Sequence, residues 1–408
     1  MTNYNYDKVV DRHGTASIKW DGLKERFGRE DLLALWVADI DFDTPDFVVD
    51  AIKERLEHPV LGYTLLPEDY YKTIVDWQWR HNHWEVKEEW LTYIPGIVKG
   101  IGMVINEFTK PGDKVIVQPP VYHPFYLVPQ NTGREVVWNP LKPVYNEEGE
   151  KISYSFDFEH LKSVIDDKCK ILILANPHNP GGVCWSAEDL AELAHICKER
   201  GVLVISDEIH SDMPLWGHKH VPFASVSEDA ASNSITFAAP SKTFNIAGVV
   251  TSYAVVPNDD LRQRFYHYLD ANELNQPHMF APIATIAAYK NGDEWLRQML
   301  AYVESNCLYV RDFLRINIPS IKPMLPQASF LMWLDATELA DVLYSQSAEG
   351  KTKNQVLNDF VVNKAKLALN DGSVFGQGGE CHLRLNVGTS REVLERAMSQ
   401  LLAAVQSL

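Results

Sequence analysis

A lysine set between two apolar runs has the most unusual setting of any reactive residue in the sequence. Lys242 follows the run 234–239 and precedes the run 248–256, and both runs have the composition of buried strands. A lysine is normally a solvated surface charge. In partly apolar surroundings its pKa falls, and the free amine can then form a Schiff base with an aldehyde cofactor. Position alone leaves both interpretations open.

Two further charges are associated with strand-like runs. Asp207 directly follows the apolar run 202–206, where a buried carboxylate is costly unless a positive charge pairs with it. It is either half of a structural ion pair or the partner of a protonated heterocycle nitrogen. Arg384 lies in the alternating run 382–387 and is either a surface charge or a clamp for a carboxylate, which its planar guanidinium suits.

Three other positions carry weaker chemical signals. Asn179 lies in the turn 176–182, where its amide could donate to a phenolate oxygen or simply serve the turn. Tyr122 could fill core volume or present its face to a flat ring. The glycine-rich turn at 95–102 precedes a predicted helix over 101–108, and backbone N–H groups at a helix start bind phosphate, although such turns are common.

An acidic and histidine-rich stretch follows Asp207, and it raises the question of a metal site. Its spacing matches no strong metal signature, so a solvated loop is the favoured interpretation and no metal is predicted. The stretch contains Glu208, His210, Asp212, His218 and His220.

The elements that position these residues alternate between strand-like and helix-like patterns. Apolar runs at 114–118, 134–138 and 169–175 predict strands, and Ser186 with Asp189 begins a helix that Gly201 ends before the run 202–206. A strand–helix–strand unit implies a right-handed crossover and a largely parallel sheet, in which ligands bind beyond the carboxyl ends of the strands. The polar residues that follow the runs are Tyr122, Asn179, Asp207, His210 and Lys242.

The chain changes character after about residue 290. Helical patterns at 293–316 and from 391, with the alternating run 382–387, predict a smaller α+β domain that shares its sheet with the N-terminal segment. We therefore expect an N-terminal segment, 1–50, that contributes to the small domain. A large domain over 51–290 and a small C-terminal domain over 291–408 complete the expected division.

Composition narrows the function classes. The 408 residues are 46% hydrophobic and 23% charged, as in a globular protein, and the net charge of −17 disfavours nucleic-acid binding. The aromatic and basic stretch 77–84 is better explained as a helix end with its tryptophans packed inward. We find no signal-peptide pattern and no membrane-spanning run, and the five scattered cysteines suit reduced thiols. A cytoplasmic location is expected.

The order of these residues along the chain is more specific than any one of them. The series from the Pro95-Gly96 turn through Tyr122, Asn179, Asp207 and Lys242 to Arg384 resembles the class I/II pyridoxal-phosphate enzymes of aspartate-aminotransferase fold, over about residues 30 to 400. The motifs Leu35-Trp-Val-Ala-Asp-Ile-Asp-Phe42, Gly62-Tyr-Thr64 and Asn179-Pro-Gly-Gly182 look like the cystathionine β-lyase, or carbon–sulfur lyase, subgroup. Ile40 stands where that subgroup typically has methionine, a near-isosteric change.

The resemblance implies an α/β fold and a set of site roles. Pyridoxal 5'-phosphate would be held by Lys242, which also moves the substrate α-proton, while Asp207 keeps the ring nitrogen protonated and Tyr122 stacks on the ring. The remaining implied roles are a hydrogen bond from Asn179 to the ring oxygen, phosphate binding by Gly96, Ile97, Val98 and Ser241, phosphate and substrate contacts of Tyr63 across a homodimer, and binding of the substrate α-carboxylate by Arg384.

Two positions depart from the wider family pattern. His210, which the resemblance includes among the cofactor-binding residues, stands where many aminotransferases have a tyrosine, and Val250 stands where they often have a basic residue for the phosphate. Phosphate binding would then depend more on backbone amides, Ser241 and Tyr63.

The resemblance favours one reaction among several. It implies β-elimination from L-cystathionine, L-cysteine or related S-substituted cysteines, which yields a thiol, pyruvate and ammonia. The alternatives are an aminotransferase acting on neutral or aromatic amino acids, and a regulator that senses the cofactor or an amino acid. Lys242 serves as acid and base in elimination and in transamination, so its presence does not separate these two reactions.

Overall fold

The computed structural model describes residues 3–347 and 350–408. The helices are α1 (Leu23–Phe27), α2 (Asp46–Leu56), α3 (Tyr70–Asn82), α4 (Ile97–Phe108), α5 (Pro124–Asn131), α6 (Phe158–Val164), α7 (Ala187–Glu199), α8 (Glu228–Ser232), α9 (Asp259–Ala271), α10 (Phe280–Asn291), α11 (Asp293–Asn317), α12 (Thr337–Ser345), α13 (Lys353–Asn363) and α14 (Arg391–Gln406). The strands are β1 (Leu33–Ala34), β2 (Leu91–Ile94), β3 (Lys114–Val117), β4 (Glu135–Trp138), β5 (Lys142–Tyr145), β6 (Lys151–Ser155), β7 (Cys169–Ala175), β8 (Leu203–Asp207), β9 (Ser234–Ala238), β10 (Ser252–Val255), β11 (Lys322–Met324), β12 (Leu331–Asp335), β13 (Leu367–Ala368), β14 (Asn370–Asp371) and β15 (His382–Asn386).

A seven-stranded sheet forms the centre of the described part of the chain. Its strand order is β2-β10-β9-β8-β7-β3-β4. Neighbouring strands from β9 to β4 run parallel, and β10 is antiparallel to both of its neighbours. Every residue of β8 is buried, as expected of a strand covered on both faces. The predicted α/β fold with a mostly parallel sheet is confirmed.

Helix α7 connects the parallel strands β7 and β8, and its sequence explains both its start and its orientation. The hydroxyl of Ser186 accepts a hydrogen bond from the backbone N–H of Asp189 at 3.0 Å, which satisfies one of the free donors at the helix start. The apolar face predicted from helical spacing is buried, and it comprises Leu190, Leu193, Ala194 and Cys197. The predicted strand–helix–strand unit is therefore confirmed.

A second sheet, in the order β11-β12-β15-β14, lies in the C-terminal part of the chain. The N-terminal strand β1 does not join it. Instead, Leu33 and Ala34 pair in parallel with Leu367 and Ala368 of β13, in a separate two-stranded ladder. The expectation that the N-terminal segment shares the sheet of the C-terminal region is wrong in this respect, because the short β1 finds its partner in β13, just before β14 begins.

Two of the three tryptophans in the aromatic stretch 77–84, at the end of α3 and just beyond it, lie in the interior. Trp77 is fully buried and stacks on Tyr289 with ring centroids 4.4 Å apart, Trp84 is buried beyond the helix end, and Trp79 is half-exposed. Inward packing is confirmed for Trp77 and Trp84 but not for Trp79. Within the described residues, no helix combines the length and the apolar character needed to cross a membrane.

Candidate active site

A cavity of about 230 Å³ opens beyond the carboxyl ends of β7 and β8, where ligands bind in parallel sheets. It brings together nine of the residues that the sequence singled out, namely Gly96, Ile97, Val98, Tyr122, Asn179, Asp207, His210, Ser241 and Lys242. Residues that sequence reasoning did not select also line it, among them Ala38, Phe125, Pro177, Thr251 and Ser252. Arg384 and Tyr63 are not among the lining residues.

Lys242 lies in the loop between β9 and β10, as predicted. Its Nζ donates a hydrogen bond to the backbone carbonyl of Ala38. The pKa of Lys242 is lowered to about 8, chiefly by burial; the Asp39 charge opposes this shift, and the Arg384 charge adds to it. Near neutral pH a larger fraction of this side chain is therefore a neutral amine than in a solvated lysine, and the neutral amine is the form that attacks a carbonyl carbon.

Asp212 holds the loop that carries Lys242, a role that no local sequence pattern indicates. One carboxylate oxygen accepts from the Thr243 hydroxyl at 2.8 Å, and the other accepts from the Trp77 indole at 2.9 Å. Because Thr243 directly follows Lys242, these bonds fix the backbone beside the amine. Contacts between residues so far apart in sequence leave no local pattern that could have revealed them.

Asp207 is the last residue of β8, and its carboxylate lacks a counter-charge. It accepts a hydrogen bond from the backbone N–H of Ile209 at 3.1 Å, and no cation in the described part of the chain forms an ion pair with it. Burial raises the pKa of Asp207 from 3.8 to about 7. A protonated ring nitrogen in the cavity would supply the missing positive charge.

Arg384 presents the opposite situation, a buried cation without a carboxylate. On β15, it donates to the side-chain oxygens of Asn179 at 3.0 Å and Asn370 at 2.7 Å, and to the Trp36 carbonyl at 3.1 Å. Its buried Nε has no partner among the described residues, and burial lowers its pKa to about 10. A carboxylate ligand would satisfy this charge. Because the Asn179 oxygen is already used, the Asn179 amide N–H groups remain for an acceptor in the cavity.

His210 and Tyr122 complete the wall of the cavity. Burial, with the charges of Lys242 and Arg384, lowers the pKa of His210 to about 3, so its ring is neutral. The buried Nδ1 of His210 has no partner among the described residues and is therefore available to a ligand. The backbone N–H of Tyr122 donates to the Asn179 carbonyl at 3.1 Å, which ties two of the predicted residues to each other.

The start of α4 forms the end of the cavity best suited to an anion. Gly96 has φ 109°, a conformation that favours glycine, and it leads into the free N–H groups at the start of the helix. Ser241 and Ser252 both line the cavity, but the Ser252 hydroxyl already donates to the Ile94 carbonyl. Val250 lines it too, and among the described lining residues Lys242 is the only lysine or arginine. No other lysine or arginine among the described lining residues takes the place of the basic residue that many aminotransferases have at the position of Val250.

Tyr63 lies on the surface, in a stretch whose apolar side chains are exposed. Leu56, Val60, Leu61 and Leu65 surround it in sequence, and Tyr63 itself is fully exposed. A single chain therefore does not bring Tyr63 to the cavity. Its predicted contact across a dimer remains a prediction.

The acidic and histidine-rich stretch after Asp207 forms pairs. Glu208 accepts from the His220 ring at 2.8 Å, from the Ser206 hydroxyl at 2.9 Å and from the Phe223 backbone N–H at 2.8 Å. Across the residues that the structure describes, no group of three or more His, Cys, Asp or Glu side chains could hold a metal ion.

Comparison with known proteins places this geometry in a family. The sequence profile of the family described as aminotransferase class I and II matches residues 30–401. Cystathionine beta-lyase PatB of Bacillus subtilis (strain 168) is 42% identical over 402 residues, which cover 98% of this chain and 100% of PatB.

Solved structures are similar along almost the whole chain. A PLP-bound protein of Clostridium difficile 630, described provisionally as an aminotransferase, matches with a TM-score of 0.92 and 38% identity, covering 99% of this chain and 100% of that one. The PLP-bound C-S lyase from Staphylococcus hominis matches with a TM-score of 0.88 and 32% identity, covering 99% and 98%.

Proposed function

The chain belongs to the class I and II aminotransferase family, and we propose that it is a pyridoxal-phosphate-dependent carbon–sulfur lyase. It cleaves the carbon–sulfur bond of L-cystathionine, L-cysteine or related S-substituted cysteines by β-elimination. With water, the products are a thiol, pyruvate and ammonia. The observation that carries the proposal is the presence of Lys242 and the unneutralised Asp207 carboxylate in one cavity, in a chain 42% identical to a cystathionine β-lyase.

The residues of the cavity fit pyridoxal 5'-phosphate, which is the cofactor. Each distinctive group of that molecule has a counterpart here: Lys242 for the aldehyde carbon, Asp207 for the ring nitrogen and Asn179 for the ring oxygen. Amide N–H groups at the start of α4 and the Ser241 hydroxyl suit its phosphate. When bound, the cofactor withdraws electrons from the substrate α-carbon and so makes loss of the α-proton feasible.

The protein side chains bind and orient the substrate, move its α-proton and contact the ring of the cofactor. Arg384 holds the substrate α-carboxylate, which orients the α-hydrogen towards Lys242. The lowered pKa of the Lys242 amine lets it take the α-proton near neutral pH. Asp207 keeps the ring nitrogen protonated, and Tyr122 packs against the ring. Departure of the thiolate from the β-carbon then separates elimination from transamination.

A homodimer completes the site in this proposal. The exposed apolar side chains of the stretch 56–65 are the kind of surface that a second copy covers. In such a dimer, Tyr63 reaches the phosphate and the substrate of the neighbouring subunit. That contact supplies a hydroxyl at the end of the cavity that binds the phosphate. Among the described lining residues, Lys242 is the only lysine or arginine.

Two further assignments belong to the same proposal. Residues 51–290 form the large cofactor-binding domain, and residues 291–408 form the small domain together with the N-terminal segment 1–50, which β1 ties to β13. The enzyme works in the cytoplasm, where its five unpaired cysteines stay reduced.

Pyruvate release tests the reaction directly. Purified protein loaded with pyridoxal phosphate is expected to release pyruvate from L-cystathionine at the same rate with or without an added 2-oxo acid. The Lys242→Ala variant is expected to release none, because it lacks the amine that moves the proton. Dependence on the 2-oxo acid would identify an aminotransferase, and full activity of Lys242→Ala would overturn the assignment of the site.

A further inference from the structure

One face of the Arg384 guanidinium lies against an aromatic ring. The guanidinium carbon of Arg384 is 4.9 Å from the ring centroid of Phe375, and both side chains are buried. The face of an aromatic ring attracts a cation, more strongly where water is excluded. Since the hydrogen-bond partners of Arg384 are neutral oxygens, the Phe375 ring contributes to stabilising a charge that has no carboxylate partner among the described residues.

The Phe375 ring is held in turn by the small sheet. It meets the Trp333 ring at 77°, with centroids 5.3 Å apart, and Trp333 lies opposite Arg384 in the pairing of β12 with β15. The Trp333 indole donates a hydrogen bond to the Tyr154 hydroxyl at 3.0 Å. Because Trp333 is fixed by its strand and by this bond, the buried Phe375 ring has little freedom to move away from the guanidinium.

The backbone of the same residue contacts the loop that leads to Tyr122. Phe375 ends a short helical turn, and its carbonyl accepts a hydrogen bond from the Val121 backbone N–H at 2.7 Å. The preceding carbonyl, that of Val374, accepts from the Tyr126 hydroxyl at 2.8 Å. Phe375 therefore contacts the buried arginine through its ring and the residue before Tyr122 through its backbone.

We propose that Phe375 is a positioning residue for the lyase reaction, which holds the Arg384 guanidinium in the orientation that binds the substrate α-carboxylate. The inference rests on the proposed function, in which Arg384 binds that carboxylate. The Nε of Arg384 has no partner among the described residues, and its N–H lies in the plane of the guanidinium. A carboxylate can therefore approach the edge of the group while the Phe375 ring covers its face. The arginine is then ordered before the substrate arrives.

The test compares two ligands that differ in the carboxylate, glycine and methylamine, on protein loaded with pyridoxal phosphate. The change in cofactor absorption gives a dissociation constant for each ligand, and the methylamine-to-glycine ratio of the constants measures the contribution of the carboxylate. Phe375→Leu is expected to lower this ratio about fivefold, because an arginine that is no longer held must be ordered on binding. Phe375→Tyr retains the ring and is expected to keep the wild-type ratio.

Kinetics provide a second readout. With L-cystathionine, Phe375→Leu is expected to raise KM about fivefold and to change kcat by less than about twofold, as expected when ground state and transition state lose the same binding contact. Phe156→Leu is the matched control. Phe156 is buried in the same apolar cluster as Phe375, but its ring stacks on that of Trp185, so the ligand ratio stays unchanged.

The ligand ratio also distinguishes failure of this inference from failure of the proposed function. An unchanged ratio in Phe375→Leu, even with both constants shifted, would assign the ring to packing alone and overturn the Phe375 inference. If Phe375→Leu does not retain the cofactor, Phe375→Met provides the same comparison. Arg384→Gln is expected to lower the ratio further than Phe375→Leu. If Arg384→Gln leaves the ratio unchanged, Arg384 does not bind the carboxylate, and that part of the proposed function falls together with the inference.

Discussion

At the scale of single residues, the site is marked by buried charges that the described chain leaves unneutralised. Asp207 has one backbone donor and no cation, and Arg384 has amide and carbonyl oxygens but no carboxylate. Isolated buried charges are costly, and a folded protein retains them where a ligand completes the pair. These two residues therefore predict the charges of the ligand groups that bind them: a positive charge at Asp207 and a negative charge at Arg384.

Asp207 and its neighbour Glu208 allow a paired test, because only one of these two buried carboxylates is well satisfied. Without cofactor, Asp207→Asn is expected to stabilise the fold by about 1–3 kcal/mol above pH 7, whereas Glu208→Gln destabilises it by a similar amount, since it weakens existing bonds. With cofactor, Asp207→Asn instead weakens binding of pyridoxal phosphate at least about tenfold. Denaturant unfolding and cofactor titration measure the two effects.

The pH dependence of the stability of the cofactor-free protein follows from the raised pKa of Asp207. Folded Asp207 binds its proton up to about pH 7, whereas the unfolded side chain releases it near 3.8. The cofactor-free protein therefore loses stability from this group as pH rises between those values. Asp207→Asn abolishes that loss. An unchanged pH profile would show that Asp207 is not the buried acid described here.

The sequence predicts those site residues that follow strand-like runs, and it does not predict those that act only through tertiary contacts. Asp207 directly follows an apolar strand run, and Asn179 and Lys242 lie in the turns after two others, so the strand pattern alone places them at one edge of the sheet. Asp212 and Asn370 act through contacts with Thr243 and Arg384. Their importance comes from tertiary geometry, which no local pattern encodes.

At the scale of elements, periodicity and capping predict the long helices and the buried strands well. Helix α11 was expected over 293–316 and spans Asp293–Asn317, because its apolar stripe repeats over many turns. The short pairing of β1 with β13 could not be predicted, since two-residue strands carry no periodic signal. Neither could the environment of Lys19, a fully buried lysine in a segment without regular structure.

Lys19 helps to fix the segment 36–41 over the site. Its Nζ contacts the Asp41 carboxylate at 2.7 Å, and Arg12 contacts Asp41 at 2.8 Å and Asp39 at 2.7 Å. On the other side of the segment, Asn386 donates to the carbonyls of residues 37 and 39. The cavity wall at Ala38, which accepts from Lys242, is therefore held by charges from one side and by β15 from the other.

Removing Lys19 tests how much this anchoring contributes. Lys19→Met is expected to destabilise the protein by about 3 kcal/mol, because it removes one partner of the buried Asp41 carboxylate. Lys24→Met is the matched control: the Lys24–Glu30 pair is similarly close at 2.9 Å but exposed, and no measurable change is expected. Equal effects of the two substitutions in thermal or denaturant unfolding would contradict the anchoring role of Lys19.

At the scale of the whole molecule, we expect the site of a single chain to be incomplete. The described lining residues of the cavity include one lysine, Lys242, and no arginine, although the phosphate of the cofactor is an anion. Tyr63 is exposed among apolar neighbours and does not line the cavity of its own chain. The proposed twofold-symmetric dimer would account for both features at once, because each subunit would cover the exposed apolar patch of the other and contribute Tyr63 to its site.

Subunit mixing tests this sharing of residues. Lys242→Ala and Tyr63→Ala are each expected to impair the lyase. In a mixed dimer, one site carries both defects, and the other pairs an intact Lys242 with an intact Tyr63. Random exchange makes about half of the dimers mixed, each with one of two sites intact, so about a quarter of wild-type activity returns.

The control for subunit mixing replaces Tyr63→Ala by Asp207→Asn. Lys242 and Asp207 line the same cavity of one chain, so each site of a mixed Lys242→Ala and Asp207→Asn dimer keeps one defect, and no activity returns. Recovery with Tyr63→Ala but not with Asp207→Asn separates a residue donated by the partner from one supplied within the subunit. If the Tyr63→Ala mixture stays at the level of its parents after exchange, Tyr63 does not serve the neighbouring site.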